Sequence, residues 1–207
     1  MSIDLEALGA QAQDLPGVGP LLDNVEMHID GDYAAYYFSG KDETLIGDAR
    51  RNARAAFENA ATWAQAGGRR IIHLTSGGSD KGQRFDIATV KAYQGNRDSG
   101  HHPKNWEAMR MWLEAGDIPG WKVKLWDDRE ADDGVAGAAF YAPTIGNRAA
   151  TFARDKDFRM IPATHVDWTT FEIYRTTPDT WLLVTGKGDS YGPVVYGNWF
   201  FWYQMLA

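Results

Sequence analysis

Cysteine is absent from the 207 residues. Its absence excludes a disulfide framework and any thiolate metal site, and it suits a reducing compartment, so a cytoplasmic location is expected. Long apolar runs are lacking too. No stretch approaches the roughly 20 residues that a membrane-spanning helix needs, so no membrane is expected among the partners. The first 24 residues have neither a basic start nor an apolar stretch and carry Asp4, Glu6, Asp14 and Asp23, unlike a secretory signal. A surplus of positive charge is also missing, since the formal net charge is −7. This argues against a protein that coats nucleic acid through bulk charge. It leaves open an enzyme that gathers carboxylates around cations and keeps its basic residues on one local face. A local basic bias exists between 80 and 110, where Lys81, Arg84, Lys91, Arg97, Lys104 and Arg110 outnumber the acids.

What is present is a core-forming composition, 44% hydrophobic and 13% aromatic, enough at this length for one compact body. "VEMHID" (25–30) alternates and stops at Asp30-Gly31-Asp32, which predicts a strand ending in a turn. Residues 43–66 predict a helix stopped by Gly67-Gly68. Further strands are expected at "RRIIHLTS" (69–76), "WKVKLWD" (121–127) and "RAATFAR" (148–154). Helices are expected at 103–116, between Pro103 and Gly116, and at 130–141, behind an acidic start. "THVDWTTFEIYRTT" (164–177) reads as a hairpin, "TWLLVTG" (180–186) as another strand and "GNWFFWYQMLA" (197–207) as a helix. Strands alternating with helices predict an α/β fold, with a largely parallel central sheet and helices on both faces.

Three acidic clusters fall near predicted strand ends: Asp30-Gly31-Asp32, "DDREADD" (127–133) and "RDKD" (154–157). Singly, each has a plain structural explanation, as a turn or as acids complementing a helix dipole. Together they are more informative, because polar groups that do chemistry collect at the carboxyl edge of such a sheet. Carboxylates gathered there repel one another unless cations lie between them. Without cysteine or a neighbouring histidine, an all-carboxylate set favours Mg²⁺ or Mn²⁺ over zinc. The reaction most often served by such a site is phosphodiester hydrolysis with two ions. His28 and His73 sit inside predicted strands and read as core or surface histidines and not as ligands, and His101-His102 as a solvated loop. "SGGSDKG" lacks the Gly-Lys-Ser/Thr ending of a phosphate-binding loop.

"DGD" after a strand, then "EADD", then "DKDF" resemble, in order and type, the metal-binding sequence of the 5′-nuclease family. That family includes phage 5′-3′ exonucleases, flap endonucleases and the 5′-nuclease domain of bacterial DNA polymerase I. The resemblance implies a PIN-like α/β catalytic domain over residues 25–207, after an N-terminal extension (1–24), with a helical arch at about 77–105. It implies two divalent ions held by Asp30, Glu130, Asp132, Asp133, Asp155 and Asp157, and a DNA partner with a free 5′ end or 5′ flap. The expected setting is phage-type replication or recombination, in the host cytoplasm.

"FDIATVKAYQGNR" keeps Phe85, Tyr93 and Arg97 at the family's arch spacing but has Asp86 where Arg is usual and Gln94 where the catalytic Lys is usual. Lys91, three residues before Gln94, lies on nearly the same helical face and is the expected replacement, with Arg97 as its catalytic companion. Arg84 stands in for the lost Arg, and Arg84, Tyr93 and Tyr36 are the expected DNA contacts. In the family the chain continues with Gly-Asp-x-x-Asp and helix-turn-helix elements, whereas this sequence ends at Ala207. A separate polypeptide supplying that part is the expectation, and a reduced form is the alternative. Two rival functions accompany this reading: a PIN-like ribonuclease, and a catalytically weak DNA-binding subunit that needs a partner chain.

Overall fold

The computed structural model describes residues 19–81, 102–177, 181–189, 192–198, 200 and 202. The α/β architecture is as expected. A six-stranded sheet is built from β1 (Val25–Asp30), β2 (Arg70–Thr75), β3 (Lys122–Trp126), β4 (Arg148–Phe152), β5 (Thr164–Val166) and β6 (Ile173–Arg175). Its spatial order is β3-β2-β1-β4-β5-β6. The first five of these pair in parallel, and β6 returns antiparallel on β5 as the expected hairpin.

β1 is central and buried along its whole length, so its alternation serves two cores. Met27 and Ile29 face a cluster with Ile72, Leu74, Ala150 and Phe152. That face is covered by α1 (Gly31–Phe38), α2 (Ile46–Trp63) and α3 (Trp106–Ala115). α2 turns Ala49, Ala53, Phe57, Ala60 and Ala61 inward. The small side chains let it lie close, while Phe57 fills the space against Phe38 and Trp121. The opposite face carries α4 (Ala131–Tyr141), whose Val135 and Ala139 pack with Ala149, Phe158, Ile161 and Ala163. α4 comes close because Gly134 abuts the Trp126 indole, where an added Cβ would lie 2.1 Å from Nε1.

Polar groups buried on the α4 side of the sheet are largely paired with one another, although His28 Nε2 has no hydrogen-bond partner and lies 3.4 Å from the Glu26 carboxylate. Trp126 Nε1–H donates to His73 Nδ1 at 3.1 Å, and His73 Nε2 meets His28 Nδ1 at 3.0 Å. Glu26, 1% exposed, accepts both Nε–H and Nη2–H of Arg69 at 2.9 Å. Burial holds His28 and His73 well below the usual imidazole range, at about 4 and about 3. Both are neutral core residues, one of the two placements that their positions inside strands left open.

Two local features differ from the sequence reading. Asp30-Gly31-Asp32 is a direct strand-to-helix junction: Asp30 caps α1 by accepting Tyr33 N–H at 3.1 Å. After β6 the chain forms a separate antiparallel ribbon of β7 (Trp181–Asp189) and β8 (Gly192–Gly197), of which only the first strand was expected. β8 is a short apolar run set between glycines, a weak signal by periodicity alone. Within the expected last helix, Phe200 is buried and Trp202 half exposed, but 203–207 lie outside the described residues. Residues 19–24, the described part of the N-terminal segment, are tied to the body by a bridge between Leu22 and Ala66.

The abrupt junction depends on glycine. A Cβ on Gly31 would stand 2.6 Å from the His73 carbonyl oxygen and 2.7 Å from side-chain carbons of Ile72 and Leu74. Alanine is the better helix former by about 1 kcal/mol, but a backbone oxygen cannot move aside without disturbing β2. Gly31→Ala is therefore expected to destabilise the protein by about 1–3 kcal/mol, read from the urea midpoint at constant m-value.

Candidate active site

The carboxyl ends of β1, β4 and β5 open into a cleft of about 1040 Å³. Asp30 leaves the end of β1 into this cleft and is only 7% exposed. Glu130 stands at the N-cap position of α4, and Asp132 lies in its first turn, where the helix dipole favours negative charge. Asp155 caps a short 3-10 turn, Lys156–Met160, by accepting Asp157 N–H at 3.0 Å, and Asp157 lies in that turn. Five of the six acids expected from the sequence thus line one cleft, although they come from three distant segments.

Asp133 is the exception. It lies in the same turn as Asp132 but does not line the cleft, and its charge acts on Arg129 instead. One residue along a helix is a rotation of about 100°, enough to carry a side chain off the site. Asp127 and Asp128, which close β3 in the sequence, also stay outside. Asp128 is held by its neighbour Arg129 at 2.6 Å.

Two acids in the cleft were missed. Asp32 had been visible in the sequence as part of a turn, and Asp167 carried no signal at all. Asp167 accepts the N–H groups of Thr169 and Thr170 at 2.9 and 2.8 Å, a local turn after β5. The cleft also has basic and aromatic walls, formed by Arg154, Lys156, Arg159, Tyr33, Tyr36 and Trp168. Tyr36 is 48% exposed there, and the Arg154 guanidinium lies over the Tyr33 ring at 5.7 Å. Arg84, Lys91, Tyr93 and Arg97 lie outside the described residues.

Electrostatics single out Asp30. Burial pushes its carboxyl up to about 7, the Asp32 charge adds to this, the Tyr33 N–H opposes it, and Asp132 and Asp155 raise it further. Asp30 therefore sits among anions in a place that disfavours one more. A hard cation reverses that penalty, and an all-oxygen carboxylate set is the donor chemistry that Mg²⁺ and Mn²⁺ take. His165 also lines the cleft, but it is no candidate ligand. Its Nδ1 meets the Thr151 hydroxyl at 3.2 Å, and its Nε2 meets the Ile161 carbonyl and the Thr176 hydroxyl at 2.9 Å. The donor types fit divalent ions. Among the described residues, however, no three of these side chains already converge as a finished metal site.

No protein family matches the sequence, and no curated protein does. Among solved structures the fold resembles the phage T5 D15 protein, co-crystallised with metal ions, at a TM-score of 0.50 and 16% identity. The match covers 73% of this chain and 57% of that one, so this chain spans little more than half of its neighbour's length. At that identity the likeness establishes a shared fold.

His165, 5% exposed, makes the stability of the cleft wall depend on pH. Burial lowers its pKa to about 4, partly opposed by its bond to Ile161, against 6.5 in the unfolded chain. Between those values the unfolded chain binds more protons. Stability from this residue is complete above pH 6.5 and is lost as pH falls towards 4, an effect of about 2–3 kcal/mol. Urea titrations of wild type and His165→Asn at pH 7 and 4.5 should show the wild-type advantage shrinking by that amount at the lower pH.

Proposed function

We propose that this protein is a divalent-metal-dependent 5′-3′ exonuclease or flap endonuclease that hydrolyses DNA phosphodiester bonds. The observation that carries this reading is the meeting of Asp30, Glu130, Asp132, Asp155 and Asp157 in one cleft at the carboxyl edge of the sheet. The order of "DGD", "EADD" and "DKDF" in the sequence, and a fold like that of a phage protein crystallised with metal ions, support the same reading. The substrate is DNA with a free 5′ end or a 5′ flap, in phage-type replication or recombination. A catalytic domain over 25–207, with an arch at about 77–105, belongs to this proposal.

Two ions, Mg²⁺ or Mn²⁺, would supply charge neutralisation at the phosphate and a water acidic enough to attack it. Asp30, Glu130, Asp132, Asp155 and Asp157 would hold them, whereas Asp133 does not line the cleft. Asp30 is the residue whose burial most demands a counter-ion. Arg154, Lys156 and Arg159 on the cleft walls attract the polyanionic backbone, and Tyr36 offers an exposed ring for a base. Lys91 and Arg97 are assigned to orienting the phosphate, and Arg84 and Tyr93 to binding the strand. Binding through phosphates makes activity fall with salt and leaves little sequence preference.

A second reading rests on Gln94 and Asp86, which stand where the 5′-nuclease family carries cations. Under it the chain is a catalytically weak DNA-binding subunit that works with a partner polypeptide.

Incubation of the purified chain with a 5′-flap DNA and the matching RNA distinguishes these readings. Cleavage of the DNA near the flap junction with Mg²⁺ or Mn²⁺, abolished by chelator and reduced about 100-fold or more in Asp155→Asn, is the expected outcome. Metal-dependent binding of the DNA without turnover supports the subunit reading. Preferential cutting of single-stranded RNA with no need of a 5′ end indicates a ribonuclease instead.

A further inference from the structure

Asp32 stands two residues from Asp30 and lines the same cleft, yet its carboxylate is already engaged. It accepts the Thr75 backbone N–H at 3.2 Å, the Thr75 hydroxyl, and an Nη1–H of Arg110. Thr75 is the last residue of β2 and is 9% exposed. Its hydroxyl donates to Asp32 and at the same time accepts Ala131 N–H at 2.9 Å. Ala131 is the residue between Glu130 and Asp132. Arg110 reaches in from α3, donating a second Nη to the Thr75 carbonyl and its Nε to Glu114 at 2.7 Å.

These contacts join four elements at one point: α1 through Asp32, β2 through Thr75, α3 through Arg110 and the start of α4 through Ala131. α1 and α4 lie on opposite faces of the sheet, so packing within either core does not fix one against the other. The Thr75 hydroxyl spans the sheet edge between them. On one side it sets the helix that begins beside Asp30, and on the other the turn that carries Glu130 and Asp132.

We propose that Thr75 and Arg110 are positioning residues of the metal site, acting through Asp32, which serves as a clamp and not as a ligand. Arg110 offsets a cleft carboxylate that is not assigned to an ion and holds it on the Thr75 hydroxyl. The hydroxyl in turn fixes the spacing between Asp30 and the acids of α4. This inference rests on the metal-dependent reading above. Loss of groups that orient ligands typically weakens metal binding 10- to 100-fold.

Mn²⁺ binding to the substrate-free protein, followed by electron paramagnetic resonance, tests it independently of cleavage. Thr75→Val keeps the shape and removes the hydroxyl, Thr75→Ser restores it, and Arg110→Met removes the fork. Melting curves in chelator confirm that each variant is folded. Thr75→Val and Arg110→Met are expected to raise the half-saturating Mn²⁺ concentration about 10-fold or more, with Thr75→Ser within about 3-fold of wild type. Because both act through Asp32, the double variant should bind less weakly than the two effects multiplied together. The Mn²⁺ concentration for half-maximal cleavage should move in parallel, with KM for DNA little changed. Unchanged Mn²⁺ affinity in folded Thr75→Val or Arg110→Met overturns the inference alone. If Thr75→Val does not fold, Arg110→Met and Thr75→Ser decide the matter. Failure of the wild-type protein to bind Mn²⁺ overturns the metal reading and this inference with it.

Discussion

Repulsion between carboxylates is the constraint around which this molecule is arranged. Burial at the end of the central strand pushes the Asp30 carboxyl up to about 7, and the charges of Asp32, Asp132 and Asp155 add to this. A sheet selected for stability alone would place an apolar or hydrogen-bonded residue there, since every added anion in a partly desolvated cleft opposes ionisation of the next. The opposing forces are local and identifiable. The start of α1 donates Tyr33 N–H to Asp30, the dipole of α4 favours Asp132, and Arg110 neutralises Asp32. Asp155 is turned into a cap. None of these groups removes the excess charge in the middle of the cleft, which is the physical reason for reading it as a place for cations.

The surrounding fold makes such crowding tolerable. The central strand is covered on both faces, by three helices on one side and by α4 on the other, so the strand ends are held by two packed cores. Glycine and alanine bring the layers close: Gly31 lets α1 leave β1 without a turn, and Gly134 lets α4 settle on Trp126. The polar residues buried beneath α4 are neutral or paired, with Glu26 bound by Arg69 and the two histidines uncharged. The described interior beneath α4 thus carries its charge only as a paired Glu26, while carboxylates crowd at the cleft.

The cleft lining mixes charges of both signs with aromatic rings. Asp30 is buried in it, whereas Asp155 and Asp157 are exposed and stand beside Arg154, Lys156 and Arg159, with Tyr33 and Tyr36 of α1 on the same lining. The net charge of −7 conceals this arrangement, because charge summed over a chain carries no information about where it lies.

Much of this was legible in the sequence. Alternation of short apolar strands with helical stretches was enough for the α/β class. Acids next to strand ends pointed to Asp30 and Asp155 but also to Asp127 and Asp128, which stay outside the cleft, whereas Glu130, Asp132 and Asp157 followed from the resemblance to the 5′-nuclease sequence pattern. Asp133 was not separable from Asp132 by spacing, since only the rotation of α4 about its axis turns one towards the cleft and the other away. Asp32 was visible as a letter but not as a role: its partner Arg110 is 78 residues distant, and no local pattern joins them. Local propensity and periodicity act over a few residues and are written directly in the chain. Which charges meet, and which of them are already neutralised, depends on how separate elements pack, and that was decided only when the sheet and its helices closed around their cores.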